Sequence, residues 1–249
     1  MSEYLLFRLY GPMASWGDIA VGEFRPSFSH PSKSAVLGLI AAALGIRRDE
    51  EARHQGLSSS YGFGLRVESP GIPIRDYHTV QVPASGSGRN KRNYATRKDE
   101  LTVPKDHLAT ILSSRDYYCD ALYTVALWVV TKKSEAPLSE IAAALTNPTF
   151  TLYLGRKSCP MALPLEPQIV EAVNLREAFN IARFNGATFI EGLRRSESVN
   201  VYWEGGEDSG YKAVHSNQRR DLPVSRRRWQ FTTRTEQYAA DSKSKETEG

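Results

Sequence analysis

The residues best suited to chemistry are cations that share one polar stretch with a single large aromatic side chain, residues 83–98. This stretch has almost no apolar residue to bury, so it cannot be part of a core. β-prone runs flank it, residues 75–82 before it and residues 117–130 after it. We therefore predict an arm that projects from a sheet and suits a phosphate backbone; the alternative is a solvated surface loop. The candidate contact residues in this arm are Arg89, Lys91, Arg92, Tyr94, Arg97 and Lys98.

A second group of polar residues precedes an apolar segment, residues 35–44, which we predict to be a buried helix. Serine is a favoured N-cap, and a helix N-terminus offers free N–H groups and partial positive charge to an anion. The cations just upstream make this a predicted phosphate seat, whereas the alternative is a capping sequence with a few solvated cations. The candidate residues are Arg25, His30, Ser32, Lys33 and Ser34.

A third group follows a predicted strand directly and consists of Gly155, Arg156, Lys157 and Ser158. A glycine before two cations and a serine predicts a tight turn whose N–H groups and side chains converge on a phosphate. The group lacks the residues of a Walker A loop, so nucleotide binding is not predicted.

Two aromatic residues could each provide a stacking surface for a base. Trp16 lies in a short loop after the first strand, where it could equally pack over that strand. Tyr77 lies at the base of the predicted arm between Arg75 and His78, and it could equally be a core residue.

The charge is modest overall but uneven along the chain. The 249 residues carry a formal net charge of +4, whereas residues 75–115 alone carry +4 and residues 212–234 carry +6. The rest of the chain is therefore net acidic, which predicts a localised site for a polyanion rather than a uniformly basic surface.

Composition also restricts the class of protein. No run of about 18 apolar residues exists, so no membrane span is predicted, and the N-terminus is too short and too charged for a signal peptide. The two cysteines, Cys119 and Cys159, have no Cys or His at ligand spacing, which favours a reduced cytoplasmic protein over a disulfide or zinc protein. We predict no metal and no cofactor.

The order of predicted elements is strand, helix, strand, strand, helix, strand, with the last strand at residues 149–154. This order is the split βαβ pattern of an α+β, ferredoxin-like domain, which RNA-recognition modules share. We predict a body at residues 1–165 with the arm inserted at about residues 80–117. Residues 166–240 would form a C-terminal extension that packs on the body, and residues 241–249 a disordered tail.

Several phrases of the sequence resemble one protein family, in the same order along residues 4–165. The chain is similar to the CasD subunits of the type I-E CRISPR surveillance complex (Cascade), which belong to the RAMP superfamily. The arm departs from the family pattern in length and content. The phrases that carry the resemblance are Leu9-Tyr10-Gly11-Pro12-Met13, Ser15-Trp16-Gly17, Arg75-Asp76-Tyr77-His78-Thr79-Val80, Tyr118-Cys119-Asp120-Ala121 and Tyr153-Leu154-Gly155-Arg156-Lys157-Ser158-Cys159-Pro160.

The resemblance implies a ferredoxin-like, RRM-like body with a protruding β-hairpin thumb. It implies binding of the 5′ handle of the CRISPR RNA (crRNA), without catalysis, in antiviral defence. The thumb would contact the adjacent backbone subunit (CasC), the large subunit (CasA) would dock nearby, and target DNA would be reached through the complex. Arg115 matches an arginine just before the family's Tyr-x-Cys-Asp phrase, which adds it to the candidate RNA contacts.

Two other functions remain open at this point. A metal-independent endoribonuclease that processes precursor crRNA would need groups such as Lys105 with His107, or Tyr77 with His78. A free-standing single-strand binder would use the same basic residues without partner subunits. No acidic cluster suits a two-metal nuclease, so metal-dependent cleavage is the least favoured alternative.

Overall fold

The computed structural model describes the chain at residues 1–20, 22–84, 94–186, 190, 192–193, 198–205 and 209–242. It shows a mixed α+β protein built on a mostly antiparallel sheet. In chain order the elements are β1 (Ser2–Tyr10), β2 (Met13–Ala14), β3 (Trp16–Gly17), β4 (Phe24–Arg25), β5 (Ser27–Phe28), α1 (Lys33–Ala43), α2 (Glu51–Ser60), β6 (Tyr61–Pro83), α3 (Arg97–Glu100), a 3₁₀ helix (Lys105–His107), β7 (Leu108–Val129), α4 (Leu138–Thr146), β8 (Gln168–Ala172), α5 (Leu175–Ile181), β9 (Ser198–Trp203), β10 (His215–Ser225) and β11 (Gln230–Ser242).

The main sheet has the strand order β10-β11-β9-β6-β7-β1-β8, and every neighbouring pair along this path is antiparallel. β2 and β4 pair with β7 beside this path. The C-terminal strands β9, β10 and β11 therefore extend the same sheet instead of forming a separate one. In the part of the chain that the structure describes, no helix is long and apolar enough to cross a membrane.

Alternation along β1 explains why both faces of the sheet are covered. Leu5, Phe7 and Leu9 pack into the core that α1 and α4 cover, whereas Leu6 packs into a second core beneath α5 that includes Phe179. Successive side chains of a strand point to opposite faces, so a nearly continuous apolar strand must be buried on both sides.

The strands β6 and β7 form one long antiparallel hairpin whose register runs from Tyr61 opposite Val129 to Pro83 opposite Leu108. The end near the helices is buried and the outer part is exposed. Where the two parts meet, the register shifts and Gly71 has a φ of +68°. A β-carbon at Gly71 would lie 2.4 Å from a carbonyl oxygen of β7, so only glycine allows the strands to approach this closely. The predicted strands 75–82 and 117–130 are both confirmed as parts of this longer hairpin.

The predicted helix at residues 35–44 is confirmed as α1, which begins at Lys33. The Ser32 side chain caps it by accepting a hydrogen bond of 3.1 Å from the Ala35 N–H, and Gly45, at φ +73°, follows its last turn. The second helix of the predicted order, which precedes the last predicted strand, is also confirmed, as α4.

The predicted strand at residues 149–154 is wrong. The Thr149 and Phe150 N–H groups donate to the carbonyls of Ala43 and Ala42, which caps the C-terminus of α1, and only Tyr153 makes an isolated bridge. The strand that pairs with β1 instead is β8, which begins at Gln168. Alternating residues predicted a strand, but the orphan carbonyls of a helix end bind this backbone.

The C-terminal prediction also changes in one respect. Asp241 and Ser242, assigned to a disordered tail, are the last residues of β11. Residues 243–249 lie outside the described residues.

Candidate nucleic-acid interface

Four arginines and a tyrosine, which we call the hairpin-base cluster, lie where the β6–β7 hairpin leaves the body. They come from separate parts of the chain: Arg25 from β4, Arg75 and Tyr77 from β6, Arg115 from β7 and Arg156 from the loop before β8. β4 pairs in parallel with β7, which places Arg25 opposite Arg115 in the register. The same hairpin register places Tyr77 opposite Ser114.

Arg156 joins this cluster through its own contacts. Its Nη2 atom donates a hydrogen bond of 3.4 Å to the Arg25 carbonyl, and its guanidinium lies 4.9 Å from the Tyr117 ring centroid. The Nη1 atom is buried and has no hydrogen-bond partner in the described structure. Arg25 and Arg156, which belong to two separate groups of candidates in the sequence, therefore lie next to each other in the structure.

The cluster carries more positive than negative charge. Arg75 pairs with Asp116 through two hydrogen bonds of 2.7 and 3.1 Å, and these bonds raise the pKa of Arg75. Within the described residues, Arg25, Arg115 and Arg156 have no carboxylate within 4 Å. Three uncompensated guanidinium groups beside each other favour an anion with several charges.

Tyr77 offers the cluster an aromatic surface, since its side chain is 70% exposed. The alternative that Tyr77 is a core residue is therefore wrong. The ring shares its face of the hairpin with Arg75, whereas Arg115 pairs with Asp76 and therefore lies on the opposite face. An exposed ring at this position can stack a base of a strand whose phosphates contact the arginines around the foot of the hairpin.

Three further predicted residues lie near the cluster. His78 follows Tyr77 on β6 and so points to the opposite face, which is the face of Arg115, and its Nε2 atom contacts an Asp76 carboxylate oxygen there. Lys157 and Ser158 are exposed in the turn after Arg156.

A large cleft adjoins the cluster at Gly155, the residue before Arg156. Its volume is about 1640 Å³, and it lies between the loop after β2, the N-terminus of α1 and the β10–β11 hairpin. Small-molecule pockets usually have about 300–1,000 Å³, so this cleft has room for a larger ligand. The predicted site residues among its lining are Trp16, His30, Ser32, Ser34 and Gly155.

Trp16 packs in the core and is only 2% exposed. Its Nε1–H donates a hydrogen bond of 3.2 Å to the Tyr123 hydroxyl, and the two rings meet edge to face. The prediction of a stacking platform is therefore corrected to the alternative, in which Trp16 packs over the strands.

Lys33 is buried as well, with 3% of its surface exposed. Its ammonium group donates to the Tyr61 carbonyl at 2.8 Å and forms an ion pair with Glu204. Burial lowers the pKa of Lys33, an effect that the charge of Glu204 partly offsets. The predicted phosphate contact is thus replaced by a structural role, because the charge is already neutralised inside the protein.

His30 belongs to the same interior. It is buried, its Nε2 atom lies 3.3 Å from Glu236 Oε1, and its ring stacks on Tyr202 at 3.8 Å between centroids. Burial lowers the pKa of His30, so the neutral form predominates at neutral pH. Like Lys33, it is a structural residue in this fold and not a free cation for phosphate.

The charges that hold these residues form a buried ionic network, which sequence reasoning missed. Its partners are more than 160 residues from α1, so no local pattern could indicate them. Burial by itself would raise the pKa of Glu236, but the His30 hydrogen bond and the charge of Arg219 lower it to about 2. The network also includes Glu204, Asp221 and Arg234.

The described residues include only part of the predicted arm. Arg89, Lys91 and Arg92 lie outside the described residues. Tyr94 is half-buried, and Lys98 lies exposed on α3. Arg97, also on α3, forms an ion pair with Glu100 and donates to the Gln81 carbonyl, so it ties α3 to β6.

The two pairs considered for catalysis do not converge with each other. Tyr77 and His78 point to opposite faces of β6, and His107 lies seven residues along β7 from Ser114, the partner of Tyr77. At about 3.3 Å per residue this separation is roughly 20 Å, too far for shared acid–base chemistry. Among the described residues, no group of three or more His, Cys, Asp or Glu side chains could hold a metal ion.

Comparison of the chain with known proteins identifies the family to which it belongs. The family model described as CRISPR-associated protein (Cas_Cas5) matches residues 4–236, nearly the whole chain, so the chain belongs to this family. More particularly, it is similar to the CRISPR system Cascade subunit CasD of Escherichia coli (strain K12), at 38% identity over 173 residues. The aligned part covers 66% of this chain and 70% of that protein. The resemblance seen in the sequence phrases is thereby confirmed.

Solved structures agree with this assignment. A chain from a CRISPR RNA-guided surveillance complex superposes with a TM-score of 0.63 at 26% identity, covering 96% of this chain and 90% of that one. A crystal structure of a Cas protein gives 0.59 at 25% identity, covering 96% and 95%.

Proposed function

We propose that the protein is a non-catalytic RNA-binding subunit of a cytoplasmic CRISPR Cascade complex that caps the 5′ handle of the crRNA. The observation that carries this proposal is the hairpin-base cluster, in which three arginines without carboxylate partners among the described residues lie together on one face of the foot of a long hairpin and an exposed tyrosine lies on its other face. This combination binds splayed single-stranded RNA by phosphate contacts and stacking. The family assignment selects crRNA among such strands.

The body would be a ferredoxin-like domain. The strands β1, β6, β7 and β8 lie in the order β8-β1-β7-β6, with helices after β1 and between β7 and β8. This arrangement supports the split βαβ topology of that fold, with β8 instead of residues 149–154 as its last strand.

The outer part of the β6–β7 hairpin would act as the thumb that contacts neighbouring subunits. Ile72, Ile74 and Val80 are exposed on one face of this hairpin although they are large and apolar. An exposed apolar strip on a projecting element is typical of a protein–protein contact. The backbone subunit is the proposed partner of this strip, and the large subunit would bind nearby.

The test is RNA binding by the variants Arg25→Gln and Arg115→Gln, measured by filter binding with a labelled 5′-handle RNA in EDTA. Loss of one phosphate contact on a single strand should weaken binding about 5-fold at 0.1 M salt, since the salt slope is roughly −0.7 per contact. For the double variant, the slope of log K against log salt concentration should be less steep than that of the wild type by about 1.4. Both arginines are exposed, so the fold should be unchanged.

Arg53→Gln is the matched control, because Arg53 is already paired with Glu50 and Glu135. The variant removes one positive charge that is already paired with carboxylates, so binding of the handle RNA should stay at the wild-type level. Equal affinity of the wild type and the Arg25, Arg115 double variant would contradict the proposed site. Cleavage of the RNA at one phosphodiester would contradict the non-catalytic role.

A further inference from the structure

A second group of basic and aromatic residues lies at the turn between β10 and β11. We call Arg48, Arg226 and Trp229 the arginine–tryptophan tip. The turn packs against the loop after α1: Arg48 Nε donates 3.3 Å to the Arg226 carbonyl, and Arg226 Nη2 donates 3.0 Å to the Ser34 carbonyl. All three residues line the same cleft as Ser32 and Gly155.

Trp229 is exposed in a way that folding does not explain. Its side chain is 59% exposed, whereas Trp16 and Trp203 are buried and Trp128 is half-buried. Its φ is +57°, a left-handed conformation that costs a bulky residue free energy. The chain therefore holds a strained tryptophan at a surface turn where it buries little, which is the arrangement of a residue that contacts a ligand.

The two arginines lie against the Trp229 ring. The Arg48 guanidinium is 4.7 Å and the Arg226 guanidinium 5.5 Å from the ring centroid. The Phe231 ring meets the indole edge to face at 5.4 Å, which fixes its orientation. The tip thus offers a positioned aromatic surface with two planar cations beside it.

The charge of the tip is not neutralised. In the described part of the chain, neither Arg48 nor Arg226 has a carboxylate within 4 Å. Burial lowers the pKa of Arg226, and electrostatic repulsion by the neighbouring Arg48 charge lowers it further. The nearby Glu51 carboxylate binds the turn itself, accepting 3.2 Å from the Arg227 N–H and a bond from Ser225, and so leaves the guanidinium groups unpaired.

An anion that also carries a flat ring would satisfy all of these features, and a nucleotide is such a ligand. We propose that the tip binds one nucleotide of a single-stranded RNA, with the base on Trp229 and the phosphate on Arg48 and Arg226. This inference rests on the proposed function, because the handle RNA would enter the cleft from the hairpin-base cluster. An acidic peptide would satisfy the charge but would leave the ring face without a planar partner.

The direct test is handle-RNA binding by Trp229→Ala and Trp229→Phe, with 2-aminopurine placed at each position of the RNA in turn. We expect about 5- to 140-fold weaker binding for Trp229→Ala and near wild-type binding for Trp229→Phe, because a phenyl ring still stacks. One 2-aminopurine position should be quenched by the wild type and released by Trp229→Ala. The exposed side chain makes both variants compatible with folding.

Gly38→Ala tests the position of the Arg226 guanidinium without removing its charge. A β-carbon at Gly38 would lie 2.6 Å from Arg226 Nη2, so the methyl group displaces the guanidinium from α1. Alanine is a better helix residue than glycine, so the fold should be at least as stable while RNA binding weakens about 5-fold. Arg53→Gln again serves as the control that changes charge and not binding.

The outcomes separate this inference from the proposed function. Weaker binding by Arg115→Gln with unchanged binding by Trp229→Ala would overturn the tip and leave the handle cap intact. Weaker binding by Trp229→Ala with unchanged binding by Arg115→Gln would support the tip and overturn the hairpin-base cluster. Binding of polyglutamate that needs Trp229, with handle RNA indifferent to Trp229→Ala, would overturn the RNA assignment in favour of an acidic partner.

Discussion

Replacing Gly155 with alanine should destabilise the protein by about 2–5 kcal/mol. The residue has a φ of +83°, where any other residue costs roughly 1–2 kcal/mol. A β-carbon would lie 1.9 Å from the Ser15 carbonyl oxygen. This is a backbone atom that cannot move aside as a side chain can, and such overpacking destabilises the protein by about 1–3 kcal/mol more. Thermal unfolding followed by circular dichroism should show a melting temperature roughly 10 °C lower.

Gly17→Ala is the matched control in the neighbouring segment. No atom lies within 4 Å of a β-carbon there, and the backbone is not left-handed. Its melting temperature should stay within about 2 °C of the wild type, since a surface change of this kind is usually within 0.5 kcal/mol or so. Equal melting temperatures for the Gly155 and Gly17 variants would show that the approach of the two segments is not needed for the fold.

The same glycine bears on function, because it links the cleft to the cluster. The Ser15 N–H donates 3.1 Å to the Leu154 carbonyl, so the two segments are already joined beside Gly155. A displaced backbone here moves Arg156, whose contacts with Arg25 and Tyr117 are short-range. We therefore expect handle binding by Gly155→Ala to weaken even under conditions in which the variant remains folded.

Local signals in the sequence predicted most of the body. A serine cap before an apolar run gives α1, and long β-branched and aromatic runs give the two strands of the hairpin. These features depend on residues close together in the chain, where propensity and capping act. The failure at residues 149–154 has the opposite cause, since that segment binds the end of α1, a hundred residues earlier.

The site shows the same division. Arg25, Arg75, Tyr77 and Arg156 were predicted because basic and aromatic types flank predicted strands and turns, whereas Arg115 was added by the family resemblance. Lys33 has the same type and a similar position, yet its partner Glu204 is distant in sequence and takes its charge into the interior. Sequence reasoning can indicate which residues could bind phosphate, whereas the non-local carboxylates decide which of them remain free to do so.

The largest effect of such a distant carboxylate is expected at Asp221, whose replacement by alanine should cost about 3–5 kcal/mol. Asp221 is buried and accepts two hydrogen bonds from Arg234, at 2.7 and 2.9 Å, and one of 2.9 Å from the Lys33 N–H. It therefore joins β10, β11 and the first turn of α1. Without the Asp221 carboxylate, the buried Arg234 guanidinium keeps, among the described residues, only the Glu236 hydrogen bond of 2.6 Å, and its charge is less fully compensated. The Lys33 N–H at the α1 N-terminus loses its acceptor. Chemical denaturation should show this loss, and hydrogen exchange should show the earliest opening in β10 and β11.

Two further variants separate a buried ion pair from charge in general. Asp241→Ala, on the same hairpin, breaks a partly exposed pair with Arg176 and should cost at most about 1 kcal/mol. Asp221→Asn keeps an acceptor for the Lys33 N–H but removes the charge, so its stability should fall between that of Asp221→Ala and the wild type. If Asp221→Ala were no more destabilised than Asp241→Ala, the network would not hold the C-terminal hairpin on the body. The cleft between α1 and that hairpin would then have to be kept open by apolar packing alone.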